Sequence, residues 1–296
     1  MSVPLAVTDA ALHLPAFRPR LVAIDLDGTC LDADQRLHPR SRDAIRATVA
    51  GGTEVVIATG RMYRSALPWA RELHIVAPLI CYQGAVLRCM PAAHAPQHDG
   101  VPQGELIAED ALEASVALEA LRTARAKDWH IQAYLDDRLL CEQDRPEAHL
   151  YARIAEVPIV FVDDLEPLLA QGSTKMVCVV DDSDGAADCE STLRQALGAG
   201  ARVVRSLPQF VEITNPLVSK GRALQRVCAR LAVDPAEIVA VGDAPNDADM
   251  LEMAAWAVAV ESAAAEVLAL ADAVCAPPQR AGVADVLEAL QLSRRP

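Results

Sequence analysis

Short apolar runs alternate with longer segments of helical periodicity over most of the chain. The clearest runs are LVAIDLD (21–27), EVVIATG (54–60), PLICYQG (78–84), EIVAVGD (237–243) and WAVAV (256–260). They are continuous in hydrophobicity, which is typical of parallel strands covered on both faces. Between them, residues 220–231 place Leu224, Val227, Cys228 and Leu231 on one face of a helix. The alternation predicts an α/β fold built on a doubly wound, parallel, Rossmann-like sheet.

The middle of the chain has a different pattern. Residues 88–104 are rich in Pro, His and Gly and are predicted to be a loop, whereas 111–127 have helical character. The following IQAYLDDRLLCE suits a β-hairpin with its turn at Asp136 and Asp137. We therefore expect an N-terminal tail at 1–20, a core formed by 21–83 and 214–296, and a second α/β domain, residues 84–213, inserted into that core.

Composition excludes several classes of function. With 41 acidic and 27 basic residues the net charge is −14, and only 3% of the residues are aromatic, so nucleic-acid binding is disfavoured. Eight cysteines without a C-x-x-C pair indicate neither a zinc site nor a disulfide framework. They predict reduced thiols and a cytoplasmic protein. The N-terminus lacks the features of a signal peptide, and no segment reaches the roughly 18 apolar residues of a membrane span.

Four motifs stand where strand-like runs end or helices begin. The candidate site residues in them are Asp25, Asp27 and Gly28 in DLDGT, Thr59 and Gly60 in ATGR, Lys220 in VSKGRAL, and Asp243, Asn246 and Asp247 in GDAPNDADML. Because the carboxyl ends of parallel strands meet at one edge of an open sheet, we expect these residues to share one crevice. Glycine lets the backbone turn sharply and approach a ligand, and a helix N-terminus favours an anion.

Four aspartates in one crevice would repel one another. A hard divalent cation with oxygen ligands, Mg²⁺, would relieve that repulsion. Lys220 adds a fixed positive charge that can meet a phosphate oxygen. With a hydroxyl and backbone amides, these groups predict a clamp for a phosphoryl group. One carboxylate is then left as a nucleophile that forms an aspartyl-phosphate.

At these motifs the chain resembles the haloacid dehalogenase (HAD) superfamily. It is most similar to the Cof-type phosphatases of subfamily IIB, which insert a large α/β cap between the second and third motifs. The likeness extends over about residues 20–290 and includes LHPRSRDAI, LICYQGAVL, VEITNPLVSKGRAL and AGVADVLE. The resemblance implies that Asp25 attacks phosphorus, while Asp27 protonates the leaving oxygen and then activates water.

The resemblance also implies which residues bind metal and phosphate. The expected ligands of Mg²⁺ are the Asp25 carboxylate, the Asp27 backbone carbonyl and Asp243, with Asp247 as direct or water-mediated support. The expected phosphate-binding residues are Thr59, Lys220 and Asn246, with close backbone approach at Gly28 and Gly60. The implied enzyme is a Mg²⁺-dependent hydrolase of small phosphomonoesters, such as sugar phosphates or related metabolites.

Single residues help to distinguish this activity from related ones in the superfamily. The dehalogenases of the superfamily lack the second aspartate of D-x-D, so Asp27 favours phosphoryl transfer. A phosphotransferase or mutase on the same core, and a catalytically silent binding module, stay open as alternatives. The chain departs from the family pattern at Cys30, at Gln83 (where Asn-Gly-Ala is common) and at Glu261. The last two positions are expected near the substrate.

Overall fold

The computed structural model describes residues 5–6, 17–180 and 183–292. Its strands, in chain order, are β1 (Leu5–Ala6), β2 (Leu21–Ile24), β3 (Glu54–Ile57), β4 (Leu79–Cys81), β5 (Val86–Arg88), β6 (Gln97–His98), β7 (Val101–Pro102), β8 (Leu106–Glu109), β9 (His130–Leu135), β10 (Arg138–Cys141), β11 (Ile159–Phe161), β12 (Lys175–Val179), β13 (Arg202–Leu207), β14 (Phe210–Thr214), β15 (Ile238–Gly242), β16 (Trp256–Val260) and β17 (Ala273–Cys275). Its helices are α1 (Pro39–Ala50), α2 (Tyr63–Glu72), α3 (Ala114–Ala126), α4 (Pro146–Ala155), α5 (Ser183–Leu197), α6 (Lys220–Leu231), α7 (Ala248–Met253), α8 (Ala265–Leu268) and α9 (Gly282–Leu292).

The chain divides into two compact units, and the first contains the described parts of Met1–Gly60, Ala66–Ile107 and Ser219–Pro296. Its sheet has the order β1-β17-β16-β15-β2-β3, and all of these pairings are parallel. Strands β2, β15 and β16 are buried along their whole length, as their continuous apolar sequences require. Helix α1 packs against α9, and α6 packs against α7. The predicted doubly wound parallel core is confirmed.

Strand order positions three of the four motifs. Strand β2 lies between β3 and β15, and all three run in the same direction. The segments that follow them therefore emerge at one edge of the sheet, beginning with Asp25 after β2, Ala58 after β3 and Asp243 after β15. This edge is the usual ligand side of an open α/β sheet.

The second unit contains Arg61–Ser65 and Ala108–Val218. Its sheet has the order β11-β10-β9-β12-β14-β13; β10 and β11 are parallel and the other pairs are antiparallel. One face packs on α3 and α5 through an apolar cluster that includes Leu121, Met176 and Leu193. The predicted hairpin is confirmed: β9 and β10 are joined by Asp136 and Asp137, both with positive φ, as a tight turn between twisted strands requires.

The unit boundaries differ from those expected from sequence. The inserted domain was expected at 84–213, whereas residues 84–107 cluster with the first unit and the second extends to Val218. Strand β5 turns back to pair with β4, Leu79 opposite Arg88, which holds this segment against the core. The Pro- and Gly-rich composition of residues 88–104 predicts only a loop. The structure also contains the β6–β7 hairpin in this segment.

Part of the expected N-terminal tail pairs with the sheet of the first unit. Leu5–Ala6 forms a strand parallel to β17, pairing with Ala273 and Val274. The rest of the expected tail up to residue 16 lies outside the described residues. Within the described ranges, no helix combines the length and apolarity needed to cross a membrane.

A buried ion pair lies in the second unit. Lys175 Nζ is 3.1 Å from Glu212 Oε2, and both side chains are less than a tenth exposed. The ammonium also lies 5.2 Å from the ring centre of Tyr134 and 5.7 Å from that of Tyr151. A charge at this depth is tolerated because carboxylate and aromatic rings replace its water.

Replacing Lys175 by Met should leave the Glu212 carboxylate buried without its ion-pair partner. Removing one partner of a buried pair costs about 3–5 kcal/mol, whereas replacing both by apolar residues is close to neutral. We therefore expect Lys175→Met to lower hydrogen-exchange protection of β9 and β12 strongly, and Lys175→Met/Glu212→Leu to recover most of it. Lys127→Met, at an exposed lysine, is the matched control. Equal losses in the single and double variants would contradict this account.

Candidate active site

Lys220 lies at the centre of the candidate site as the first residue of α6. Its Nζ donates to Asp25 Oδ1 and to Asp247 Oδ1, each at 2.6 Å. All three side chains are buried. The helix begins here because the Ser219 side chain accepts a hydrogen bond from the Arg222 backbone N–H and caps it. The buried ammonium thus joins the residue that follows β2 to the residue that precedes α7.

Burial and repulsion shift the pKa values of these groups. Burial raises the pKa of Asp25 well above its usual range; Lys220 opposes this effect, and the charge of Asp247 adds to it. Burial alone would lower the pKa of Lys220, but Asp247 and Asp25 outweigh it and hold the ammonium charged. Burial raises the pKa of Asp243 to about 6, with further repulsion from Asp247. When its three carboxylates are ionised, the cluster carries more negative charge than one lysine offsets.

Asp247 shapes the loop that carries Asp243. Its Oδ2 accepts hydrogen bonds from the backbone N–H groups of Asp243 and Ala244, both at 3.0 Å. Because Oδ1 is held by Lys220, both oxygens of this carboxylate already have protein partners. Gly242 is needed beside it, since a Cβ at Gly242 would lie 2.7 Å from the Asp247 Cβ. Asp247 thus orients both Lys220 and the Asp243 loop.

The first and fourth motifs interlock through Asp243. The Thr29 hydroxyl donates to Asp243 Oδ1 at 2.6 Å. Gly28 has φ +88°, and a Cβ there would collide with the Asp243 carboxylate. Thr29 was not among the residues selected from the sequence, although it is the threonine of DLDGT. Its buried hydroxyl stabilises the charged form of Asp243.

Asp25 and Asp27 lie in different environments. Strand β2 ends at Ile24, so both residues belong to the following loop. The loop is closed by the backbone N–H groups of Cys30 and Leu31, which donate to Leu26 O. Asp25 is buried and Asp27 is exposed. One carboxylate is thus withdrawn from water and the other remains accessible.

Cys30 is a packing residue in this loop. It is 1% exposed. Burial, with the charges of Asp25 and Asp27, raises the pKa of its thiol to about 12. The thiol therefore stays protonated at neutral pH and serves as a small hydrophobe.

Thr59, Gly60 and Asn246 lie around Gln83, which departs from the family pattern at a position expected near the substrate. The Gln83 backbone N–H donates to Thr59 O at 3.0 Å, and its side-chain Oε1 accepts from Asn246 Nδ2 at 2.8 Å. A Cβ on Gly60 would lie 2.5 Å from Gln83 Nε2. Asn246 Oδ1 is buried and has no hydrogen-bond partner among the described residues. Glu261, the other departure, instead forms an ion pair with Arg280 in which both side chains are more than half exposed.

Three carboxylates could hold a metal ion. One oxygen from each of Asp25, Asp243 and Asp247 lies within 4.8 Å of the others. In the part of the chain that the structure describes, no group donates a hydrogen bond to Oδ2 of Asp25 or of Asp243. An all-oxygen donor set with excess negative charge suits Mg²⁺. The Asp27 side chain is outside this cluster.

Comparisons with known proteins agree with this arrangement. The family described as haloacid dehalogenase-like hydrolase matches residues 22–287. An HMP-PP phosphatase of Cronobacter sakazakii is 29% identical over 253 residues, covering 84% of this chain and 87% of that protein. A crystal structure of a Thermotoga maritima protein superposes with a TM-score of 0.80 at 29% identity, covering 91% of this chain and 97% of that one.

A longer relative matches over part of its length only. The chloroplastic endoribonuclease YBEY of Arabidopsis thaliana is 27% identical over 285 residues, which are 93% of this chain but 47% of that protein. The chain thus spans about half the length of this relative. The resemblance to HAD phosphatases of the Cof type, and with it the expected hydrolase class, is confirmed. The chain belongs to the haloacid dehalogenase-like hydrolases.

Proposed function

We propose that the protein is a cytoplasmic, Mg²⁺-dependent phosphatase that hydrolyses small phosphomonoesters, such as sugar phosphates or related metabolites, through an aspartyl-phosphate intermediate. The observation that carries the proposal is the buried Lys220, which lies between Asp25 and Asp247, two carboxylates that cluster with that of Asp243. A lysine held in this way keeps one positive charge beside the proposed nucleophile, Asp25. The three carboxylates outnumber this charge, so they can also bind a cation.

The two aspartates of DLDGT suit different tasks. Asp25 is buried and held through Oδ1 by Lys220, while no described residue donates to Oδ2. This free oxygen suits attack on phosphorus. Asp27 is accessible, as a group must be that gives a proton to the leaving oxygen and later takes one from water. The buried nucleophile and the exposed acid–base residue thus divide the reaction between them.

Binding of metal and phosphate is assigned to the groups around this pair. The Asp25 and Asp243 carboxylates and the Asp27 backbone carbonyl would hold Mg²⁺, with Asp247 supporting them. Bound Mg²⁺ would neutralise the negative charge of the phosphoryl group. Lys220, Thr59 and Asn246, with the backbone at Gly28 and Gly60, would bind the phosphoryl oxygens. All of these residues belong to the first unit.

Charge and cysteine usage support the substrate class and the compartment. A net charge of −14 repels polyanions, whereas a small phosphate ester needs only a local cationic site. All eight cysteines are free, and seven of them are buried. This pattern favours a reducing compartment. The HMP-PP phosphatase similar to this chain bears a phosphatase name, which favours hydrolysis over transfer.

The first test is hydrolysis of p-nitrophenyl phosphate, with and without Mg²⁺, by wild type and by Asp25→Asn. Without the nucleophile the covalent route is closed, so we expect kcat to fall by about a thousandfold or more. Glu252→Gln, at an exposed carboxylate in α7, is the matched control and should keep wild-type activity. Metal-dependent turnover that persists in Asp25→Asn would disprove the proposed nucleophile.

Asp27→Asn should separate the two half-reactions. p-Nitrophenolate is a good leaving group that needs little protonation, but hydrolysis of the aspartyl-phosphate still needs the base. We expect a burst of product of at most about one equivalent of enzyme, followed by turnover about 10²- to 10⁴-fold slower than wild type. Rapid-quench measurements of the burst test this. A steady-state rate equal to that of wild type would show that Asp27 is not the base.

Removing one carboxylate should stabilise the metal-free protein. Folding raises the pKa of Asp243 to about 6, so its ionised form destabilises the fold above that pH, and this penalty shrinks as pH falls below 6. We expect Asp243→Asn to raise the metal-free Tm at pH 7.5, and by less at pH 5. Mg²⁺ should raise the wild-type Tm at pH 7.5 and have little effect on this variant. An unchanged response to Mg²⁺ in Asp243→Asn would remove Asp243 from the metal site.

A further inference from the structure

Gln83 lies in a strained turn beside the candidate site. Tyr82, Gln83 and Gly84 have φ values of 53°, 60° and 103°, so two successive residues with side chains adopt the left-handed conformation. This conformation is unfavourable for L-residues other than glycine. Strain of this kind persists only where the surrounding structure enforces it, and it is concentrated at functional sites.

Contacts with two site segments hold the turn in place. The Gln83 backbone N–H donates to Thr59 O at 3.0 Å. On the other side, a Cβ on Gly84 would overlap the Ser219 carbonyl and lie 3.1 Å from the Lys220 backbone nitrogen. The turn therefore packs directly between the end of the β3 segment and the beginning of α6. The position of the Gln83 side chain is fixed by the same backbone that fixes Thr59 and Lys220.

The oxygen of the Gln83 side-chain amide has a hydrogen-bond partner, and its nitrogen does not among the described residues. Its Oε1 accepts from Asn246 Nδ2, whereas no group in the described residues accepts from Nε2. The residue is half-buried, and Nε2 lies against Gly60. An amide whose oxygen is bound in this way presents its N–H groups to a ligand above Gly60.

We propose that Gln83 is a phosphate-binding residue, whose Nε2 donates to a phosphoryl oxygen above Gly60 while Oε1 fixes the amide of Asn246. The proposal rests on the proposed phosphatase function. A phosphate dianion only accepts hydrogen bonds, and two of the three Lys220 protons are already given to carboxylates. Gln83 supplies a neutral donor where the cationic one is largely engaged.

The variant Gln83→Glu tests the contribution of the Nε2 hydrogen-bond donor. The variant keeps the length of the side chain and an oxygen that can accept from Asn246 Nδ2, but it loses the N–H groups and places a negative charge near the phosphate. A hydrogen bond to a charged group is strong enough that its loss should raise the inhibition constant of inorganic phosphate, and KM for p-nitrophenyl phosphate, at least about tenfold. We expect kcat to change less. Gln83→Asn, which keeps the amide, should recover part of the loss.

Two further variants separate binding from structure. Gln83→Met has similar length and no polar atoms, so it also releases Asn246; Gln279→Glu adds the same charge at an exposed position of the first unit. We expect Gln279→Glu to bind phosphate as wild type does. If all Gln83 variants lower the Tm and kcat alike, while the inhibition constant of phosphate stays at the wild-type value, the residue only shapes the turn and the proposal is overturned.

Calorimetric titration of inorganic phosphate in the presence of Mg²⁺ distinguishes this inference from the proposed function, because it needs no turnover. Wild type that binds phosphate more tightly than Gln83→Glu but hydrolyses no phosphate ester would leave Gln83 as a phosphate ligand and overturn the phosphatase. Wild type that hydrolyses esters, with Gln83→Glu binding phosphate equally well, would overturn the role of Gln83 alone. Wild type that binds no phosphate would overturn both.

Discussion

The ammonium of Lys220, buried between two carboxylates, is the interaction on which the rest of the site depends. A charge removed from water needs close partners, and its two partners lie 195 and 27 residues away along the chain. They meet only if β2, α6 and the β15–α7 loop are placed correctly relative to one another. The parallel pairing of β2 with β15 meets this condition, since Asp25 and Asp243 then follow neighbouring strands. The sheet is thus the scaffold that makes a buried lysine tolerable.

The same cluster is not balanced in charge. When all three carboxylates are ionised, they exceed the one ammonium by two negative charges in a largely buried space. Burial, with repulsion between the carboxylates added to it, raises the pKa values of Asp25 and Asp243. The Thr29 hydroxyl donates to Asp243, and the Asp243 backbone N–H donates to Asp247; both hydrogen bonds offset part of the repulsion. A site that retains such repulsion is less stable than it could be, and a bound cation is the simplest reason for a protein to keep it.

Sequence reasoning found the motif residues because parallel strands bring their carboxyl ends to one edge, whatever the details of packing. It did not find which carboxylates would bind Lys220, since that depends on where α6 begins relative to the sheet. It also did not find that Asp25 is buried while Asp27 is exposed, because the end of β2 at Ile24 is set by long-range pairing. The division of the chain differs from the expected one at 84–107 for a similar reason: β5 pairs with β4, and local composition does not show a strand partner. Gln83 was noticed in the sequence as a departure from the family pattern at a position expected near the substrate, but its hydrogen bond to Asn246 was not.

The chemistry of Gln83 follows from the same imbalance of charge. A lysine or arginine at this position would add a positive charge beside the site and oppose the binding of a metal ion there. An amide can donate to a phosphoryl oxygen without changing the charge that the metal meets. In the proposed enzyme, charge is therefore supplied by Lys220, the aspartates and Mg²⁺, while neutral donors complete the phosphate site. The strain in the Tyr82–Gly84 turn is the structural cost of bringing one of those donors to Gly60.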